Sequence, residues 1–158
     1  MFFVATAAPD GRVNLSPKGQ DSLRVLAPNR IIWMNLTGSG NETAGHLLEI
    51  NRMTLMWCSF TRKPLIYRAY GTAQVVHRDE AEWASLADYF PDHPGARQIY
   101  DMTVDMTQTS CGYAVPFMAF QSDRDTLAKW SEDRGEGGVR AYWTERNAKT
   151  LDGRPTRA

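Results

Sequence analysis

Leu36-Thr37-Gly38-Ser39-Gly40-Asn41-Glu42-Thr43-Ala44-Gly45-His46-Leu47-Leu48 is the stretch on which the reading of this chain turns. It follows the apolar run Ile31-Ile32-Trp33-Met34, which reads as a buried strand. It leads into Ala44, Leu47 and Leu48 at helical spacing. The order is therefore a strand, a turn rich in glycine and hydroxyls, then a helix N-terminus. Ser39 and Glu42 have the S-x-x-E spacing of a capping box, and Asn41 and Thr43 are cap-forming types. A helix start presents unpaired N–H groups and the positive end of the dipole, which favours a phosphate. Gly38 and Gly40 let backbone approach a ligand. Taken alone, the pattern also fits an ordinary capped turn.

Upstream, residues 2–7 read as a strand, Ala8-Pro9-Asp10-Gly11 as a turn, and residues 12–16 as the returning strand of a hairpin. Pro17 cannot donate to a ladder, so pairing is expected to stop or bulge there. Residues 22–26 form a short strand before the turn Ala27-Pro28-Asn29-Arg30. Downstream, the helix runs to about Asn51-Arg52, and the near-continuous apolar run from Met53 to Phe60 is a central strand. Residues 65–76 make a long strand in which Gly71 signals a bulge or a close backbone approach.

A helix then carries Trp83, Leu86, Ala87 and Phe90, and a second helical piece is expected over residues 95–100. In residues 102–109, Met102, Val104 and Met106 alternate with polar residues, as in a half-buried strand with the three on one core face. An amphipathic helix over residues 123–132 ends at Gly135 to Gly138. Hairpin-joined strands with helices between them predict a mainly β (α+β) fold: an antiparallel barrel with peripheral helices. Residues 1–146 form one domain, and residues 147–158 are a loose polar C-terminal tail.

The 158 residues carry 18 basic and 18 acidic side chains, so nothing in the net charge calls for nucleic acid or an anionic membrane. No apolar run approaches the roughly 20 residues needed to span a bilayer. Met1-Phe2-Phe3-Val4 lacks a basic n-region, so no signal peptide is expected. Cys58 and Cys111 have no metal or redox spacing and read as free thiols of a cytoplasmic protein, Cys111 as a buried one. His46, His77 and His93 share no ligand spacing, so no metal is expected, and His46 reads as a helix-surface residue. Trp130 and Trp143 read as core or interface packing. No Ser-His-Asp or Cys-His arrangement and no paired carboxylates stand out, so catalytic residues stay unassigned.

Several pieces in this order resemble the FMN-binding split-barrel family related to pyridoxamine 5'-phosphate oxidase. They are Phe2-Val4-Ala5-Thr6, Gly11-Arg12-Val13-Asn14-Leu15-Ser16-Pro17-Lys18-Gly19, the opening turn and helix, the strand from Met53, and Tyr70-Gly71-Thr72-Ala73. Gln108-Thr109-Ser110-Cys111-Gly112-Tyr113-Ala114-Val115-Pro116 also fits one branch of it. The resemblance implies an antiparallel split β-barrel with FMN at a homodimer interface, acting as an oxidoreductase on a small molecule through hydride transfer at the flavin. It assigns the phosphate to Ser16, Pro17 and Lys18 and to Ser39, Gly40, Asn41, Glu42 and Thr43. The ring is expected near Asn35, Leu36, Thr37 and Gly38, with backbone N–H groups of residues 37–39 tuning it, and Arg68 close to phosphate or ring.

The family's oxidase carries Arg-Lys where this chain has Glu42-Thr43, which leaves Lys18 more of the charge balance. Family members usually have a helix before the first strand, so a truncated start is expected. Arg134, Arg140 and Arg146 lack the oxidase's spacing for the vitamin phosphate, so the oxidase reaction itself is not implied. Two alternatives stay open: the deazaflavin F420 on the same fold, which calls for more basic residues around the groove, and a non-enzymatic flavin- or haem-binding protein, which in the haem case needs a histidine ligand.

Overall fold

A computed structural model describes residues 1–158. Seven strands, β1 (Phe2–Thr6), β2 (Asn14–Lys18), β3 (Leu23–Ala27), β4 (Arg30–Leu36), β5 (Arg52–Cys58), β6 (Ile66–His77) and β7 (Ala96–Ser110), form one sheet. The helices are α1 (Glu42–Leu47), α2 (Trp83–Ala87) and α3 (Thr126–Tyr142), followed by a π-helical turn over Trp143–Asn147. The strand order is β2-β1-β5-β6-β7-β4-β3, and every neighbouring pair is antiparallel. The two edge strands, β2 and β3, are consecutive in the chain, so the sheet must curl to bring its edges together. Met34 N–H donates to Ser22 O at 2.8 Å and extends the β3–β4 pairing by one residue, while no ladder joins β2 to β3. This is a split barrel, as the sequence predicted.

The core follows from β4. Ile32 and Trp33 point to opposite faces of the sheet, and both are fully buried. Trp33 belongs to the interior cluster with Val4, Leu55, Tyr100 and Met102, where it stacks on Tyr100 at 4.3 Å between centroids. Ile32 packs on the other face with Val76, Leu86, Phe90 and Ile99, covered by α2. Burial on both sides explains the unbroken apolar run.

Several local expectations need correction. Residues 95–100, read as helical, lie at the start of β7, because Ala96 to Tyr100 pair along β4 and β6. The helix after the opening turn stops at Leu47, since Arg52 already pairs with Thr72. Pro17 stays in register opposite Phe3; β2 is an edge strand, where a missing donor is tolerated. Gly71 does mark a bulge: a Cβ there would lie 1.9 Å from Thr103 O. The register skips Asp105, pairing Tyr70 with Met106 and Gly71 with Val104. Val104 and Met106 therefore face opposite ways, and Met106 is 55% exposed rather than core.

His46 is buried, with its ring Nδ1 3.1 Å from Thr6 Oγ1, not on a helix surface. Cys111 is exposed. Residues 147–156 are docked rather than loose: Asn147 and Thr156 are fully buried, and Arg154 Nε donates to Glu49 Oε1 at 2.7 Å. α3 continues past Gly135, where φ is +64° and the helix kinks instead of ending.

Candidate functional site

The turn after β4 lies at the split in the barrel, between the C-terminal ends of β2 and β4 and the docked C-terminal segment. Here the structure leaves a cavity of about 700 Å³, within the size range of small-ligand sites. Ser16, Lys18, Asn35, Gly38, Ser39, Gly40, Asn41, Glu42 and Thr43 of the expected set line it. Pro17, Leu36 and Thr37 line an adjoining slot of about 340 Å³ that shares Lys18 and Gly38 with it. Arg68 is not brought to either; it stands on β6 with its guanidinium donating to Ser110 Oγ at 3.1 Å.

The lining residues that sequence reading missed come from three places. Arg12 to Leu15 belong to the start of β2 and the turn before it, Arg97 enters from the start of β7, and Arg146 stands just before the segment expected to be a tail, which itself supplies Lys149, Thr150 and Leu151. Arg97 was legible only if residues 95–100 were read as strand. Alternation then sends it to the face opposite Gln98.

Lys18 and Arg97 define the electrostatics. Lys18 Nζ lies 3.4 Å from Asn35 Oδ1 and 5.4 Å from the centre of the Trp33 ring. Arg97 is 4% exposed, and its guanidinium donates to Gly40 O at 3.1 Å and to Asn147 Oδ1. Its Nε has no partner. Neither cation has a carboxylate within ion-pair distance. Burial pulls the Arg97 pKa down to about 10. Burial and, secondarily, the charge of Arg97 lower Lys18 to about 8. One buried and one half-buried cation side by side without a counter-ion make an unfavourable arrangement that an anion would relieve.

The turn is positioned by side chains rather than by a capping box. α1 has no side-chain cap, and Asn41, 3% exposed, leaves both amide atoms without a partner beside the cavity. Glu42 instead accepts the Leu151 N–H at 3.1 Å, which turns its charge toward the C-terminal segment. Asn147 bridges Arg97 and Gly38 O, to which its Nδ2 donates at 3.1 Å. Thr43 Oγ1 already accepts from Asn14 Nδ2 at 3.2 Å. Thr37 is a clamp: its N–H and hydroxyl donate to Gly95 O at 2.7 and 2.8 Å, and Trp143 Nε1 donates to its Oγ1 at 2.8 Å. Its amide is therefore spent, while those of Gly38 and Ser39 donate to no protein group.

Known proteins share this architecture. The family model described as pyridoxamine 5'-phosphate oxidase matches residues 1–111. The pyridoxamine 5'-phosphate oxidase family protein ustO of Aspergillus flavus is 34% identical over 175 aligned positions, covering 98% of this chain and 70% of its own. Among solved structures, HupZ of Group A Streptococcus superposes with a TM-score of 0.52 at 20% identity, covering 67% of this chain and 81% of that one. An FMN-binding protein from Syntrophomonas wolfei superposes with a TM-score of 0.50 at 12% identity, covering 68% and 75%. With this sheet and the match over its first 111 residues, the chain belongs to the pyridoxamine 5'-phosphate oxidase family.

Proposed function

We propose that this protein binds FMN in the trough made by the cavity and its adjoining slot, and acts as an oxidoreductase on a small molecule. The observation that carries the reading is the pair of carboxylate-free cations, Lys18 where cavity and slot meet and Arg97 in the cavity wall. Lys18, the unpartnered amide of Asn41 and the hydroxyl of Ser39 would hold the phosphate, with Arg97 supplying a fixed positive field behind them. The slot bordered by Leu36 and Met34 would take the apolar body of the ring. Bound there, the flavin would supply hydride transfer at its N5. The chain's own part is to hold and orient it, with the Gly38 and Ser39 amides able to donate to a ring acceptor.

The family membership supports the choice of FMN, as does the shared fold of the FMN-binding Syntrophomonas protein. None of the three histidines lines the trough, so a haem would find no histidine ligand in it. A homodimer completes the proposal. Tyr113, Phe117 and Phe120 are each about 80% exposed, an apolar surface of a kind that second copies cover, and Arg68 could then serve the neighbouring subunit's site.

One observation favours F420 as a second reading. The cavity gathers five basic residues, Arg12, Lys18, Arg97, Arg146 and Lys149, against the single acid Glu42, which suits a ligand with a long anionic tail. The deciding experiment is an absorption spectrum of freshly purified protein, followed by mass analysis of what heat releases. Released FMN, or tight binding of added FMN, is the expected result. A protein that ignores FMN and binds F420 overturns the first reading in favour of the second.

A further inference from the structure

Next to the trough, past the Gly38–Ser39 turn, lies a pocket of about 380 Å³ that adjoins the slot and shares Gln20, Thr37, Gly38 and Leu127 with it. Its floor is Leu127, Trp130 and Tyr142 of α3, and Arg124 stands at its rim. Trp130 and Tyr142 are twelve residues apart, which on an unbroken helix would separate them by about 18 Å along the axis. In the structure their ring centroids are 5.0 Å apart in an edge-to-face arrangement. The break at Gly135 (φ 64°, ψ 172°) folds the two halves of α3 together and makes that contact possible. Such a backbone conformation is essentially confined to glycine. Arg134 lies over both rings, 4.6 Å from Trp130 and 5.7 Å from Tyr142, and braces the pair.

Two further facts specify an occupant. Neither Arg124 nor Arg134 has a carboxylate within ion-pair distance, whereas Asp125 and Glu136 are taken by Lys129 and Arg140. The pocket also shares Gly38 and Ser39 with the cation-lined cavity, so its contents would lie next to whatever the trough holds. All of α3 falls after the residues that match the family model, so the aromatic wall of the pocket lies outside the part of the barrel that the model describes.

We infer that this pocket is the substrate subsite and takes a planar aromatic carboxylate, its ring against Trp130 and Tyr142 and its charge toward Arg124. The role as substrate subsite rests on the flavin reading above; the binding itself does not. Aromatic contacts of this kind contribute roughly 0.5–1.5 kcal/mol beyond area burial, so the ring and the charge should both be needed for measurable affinity.

The test is ligand-observed NMR and calorimetry with naphthoate as probe, naphthamide as its neutral counterpart and cyclohexanecarboxylate as a non-planar anion. Each is titrated into the full chain with and without FMN. Naphthoate is expected to bind saturably and at least about threefold more tightly than either comparison ligand. Trp130→Leu and Gly135→Ala should weaken it by about tenfold, and Arg124→Gln by about threefold, in proteins whose melting curves show them folded. Gly135→Ala is informative because a Cβ there meets no neighbouring atom, so only the backbone conformation is disturbed. No naphthoate binding, equal binding of naphthamide, or binding untouched by Trp130→Leu overturns the inference. Naphthoate binding that behaves as expected in a protein that never binds FMN overturns the flavin reading and leaves the aromatic subsite standing.

Discussion

Raising the pH tests the role of Lys18 in the trough directly. Lys18 ordinarily titrates at 10.5; its burial, reinforced by the charge of Arg97, brings it to about 8. A phosphate beside it favours the ammonium form, so FMN selects protonated Lys18. At a pKa of about 8, the side chain is roughly nine-tenths protonated at about pH 7 and one-tenth at about pH 9. FMN affinity should therefore fall by about tenfold over that interval, ~1.4 kcal/mol. Arg97, at about 10, keeps its charge over most of the range and should not add a second slope. Lys18→Met should bind FMN more weakly near neutrality and lose the pH dependence. The assay is quenching of FMN fluorescence at each pH, with calorimetry in two buffers of different ionisation enthalpy to count the proton taken up. A wild-type affinity that stays level across the interval, or a slope that survives in Lys18→Met, refutes the placement of phosphate beside Lys18.

The same residue makes a stability prediction of opposite benefit. Its folded pKa lies below its unfolded value, so the folded chain bears the full cost of the buried charge below about pH 8. Between about 8 and 10.5 the unfolded chain holds the extra proton, and wild-type stability gains with pH from this group. Lys18→Met without ligand should thus be more stable near pH 7 by ~1–3 kcal/mol in urea melts, with the advantage shrinking as pH rises through that window. Gly71→Ala pushes a methyl group into the Thr103 carbonyl, and should cost about 3 kcal/mol and lower Tm by roughly 6–12 °C in calorimetry. Asn147→Asp sets a carboxylate against Arg97 but gives up the Nδ2 donation to Gly38 O. In a variant whose melting curve shows it folded, FMN should bind about tenfold more weakly, because the site then carries its own anion; tighter FMN binding by this variant would contradict the anion reading.

The sheet was legible in the sequence because its strands carry their evidence locally. The β4 run, the proline-and-asparagine turn before it and the glycine at position 71 each point to one physical event, and each occurs. The turn after β4 does line the wall of the largest cavity described, but not through the local motif that singled it out. Ser39 and Glu42 have the spacing of a capping box, but a carboxylate chooses among all donors within reach, and the Leu151 amide, far along the chain, is the one it meets. Arg97 escapes a sequence reading because Gly95 to Tyr100 has no strict alternation: the segment is covered on both faces, and Arg97 and Gln98 bond to Asn35, Asn147 and Gly40 in the interior. His46 hides a long-range bond to Thr6 in the same way. The kink at Gly135 looks like a helix end in sequence, since a glycine that stops a helix and one that folds it back differ only in what the second half packs against. For Glu42, Arg97 and His46 the deciding contact lies dozens of residues away, and for Gly135 it joins two side chains twelve residues apart.

Arg97 and Asn147 also set a schedule. A chain emerging from the ribosome has every strand of the sheet once residue 110 is out, yet the wall of the cavity that holds Gly38 and Arg97 in place arrives only with residues 147–156. At ordinary rates of synthesis that interval lasts roughly 2–9 s, long compared with the folding of a small sheet. The barrel should accordingly exist for seconds with its cations exposed and its turn unbraced. Loading of the ligand then becomes a late event that reports on completed folding and takes no part in guiding it.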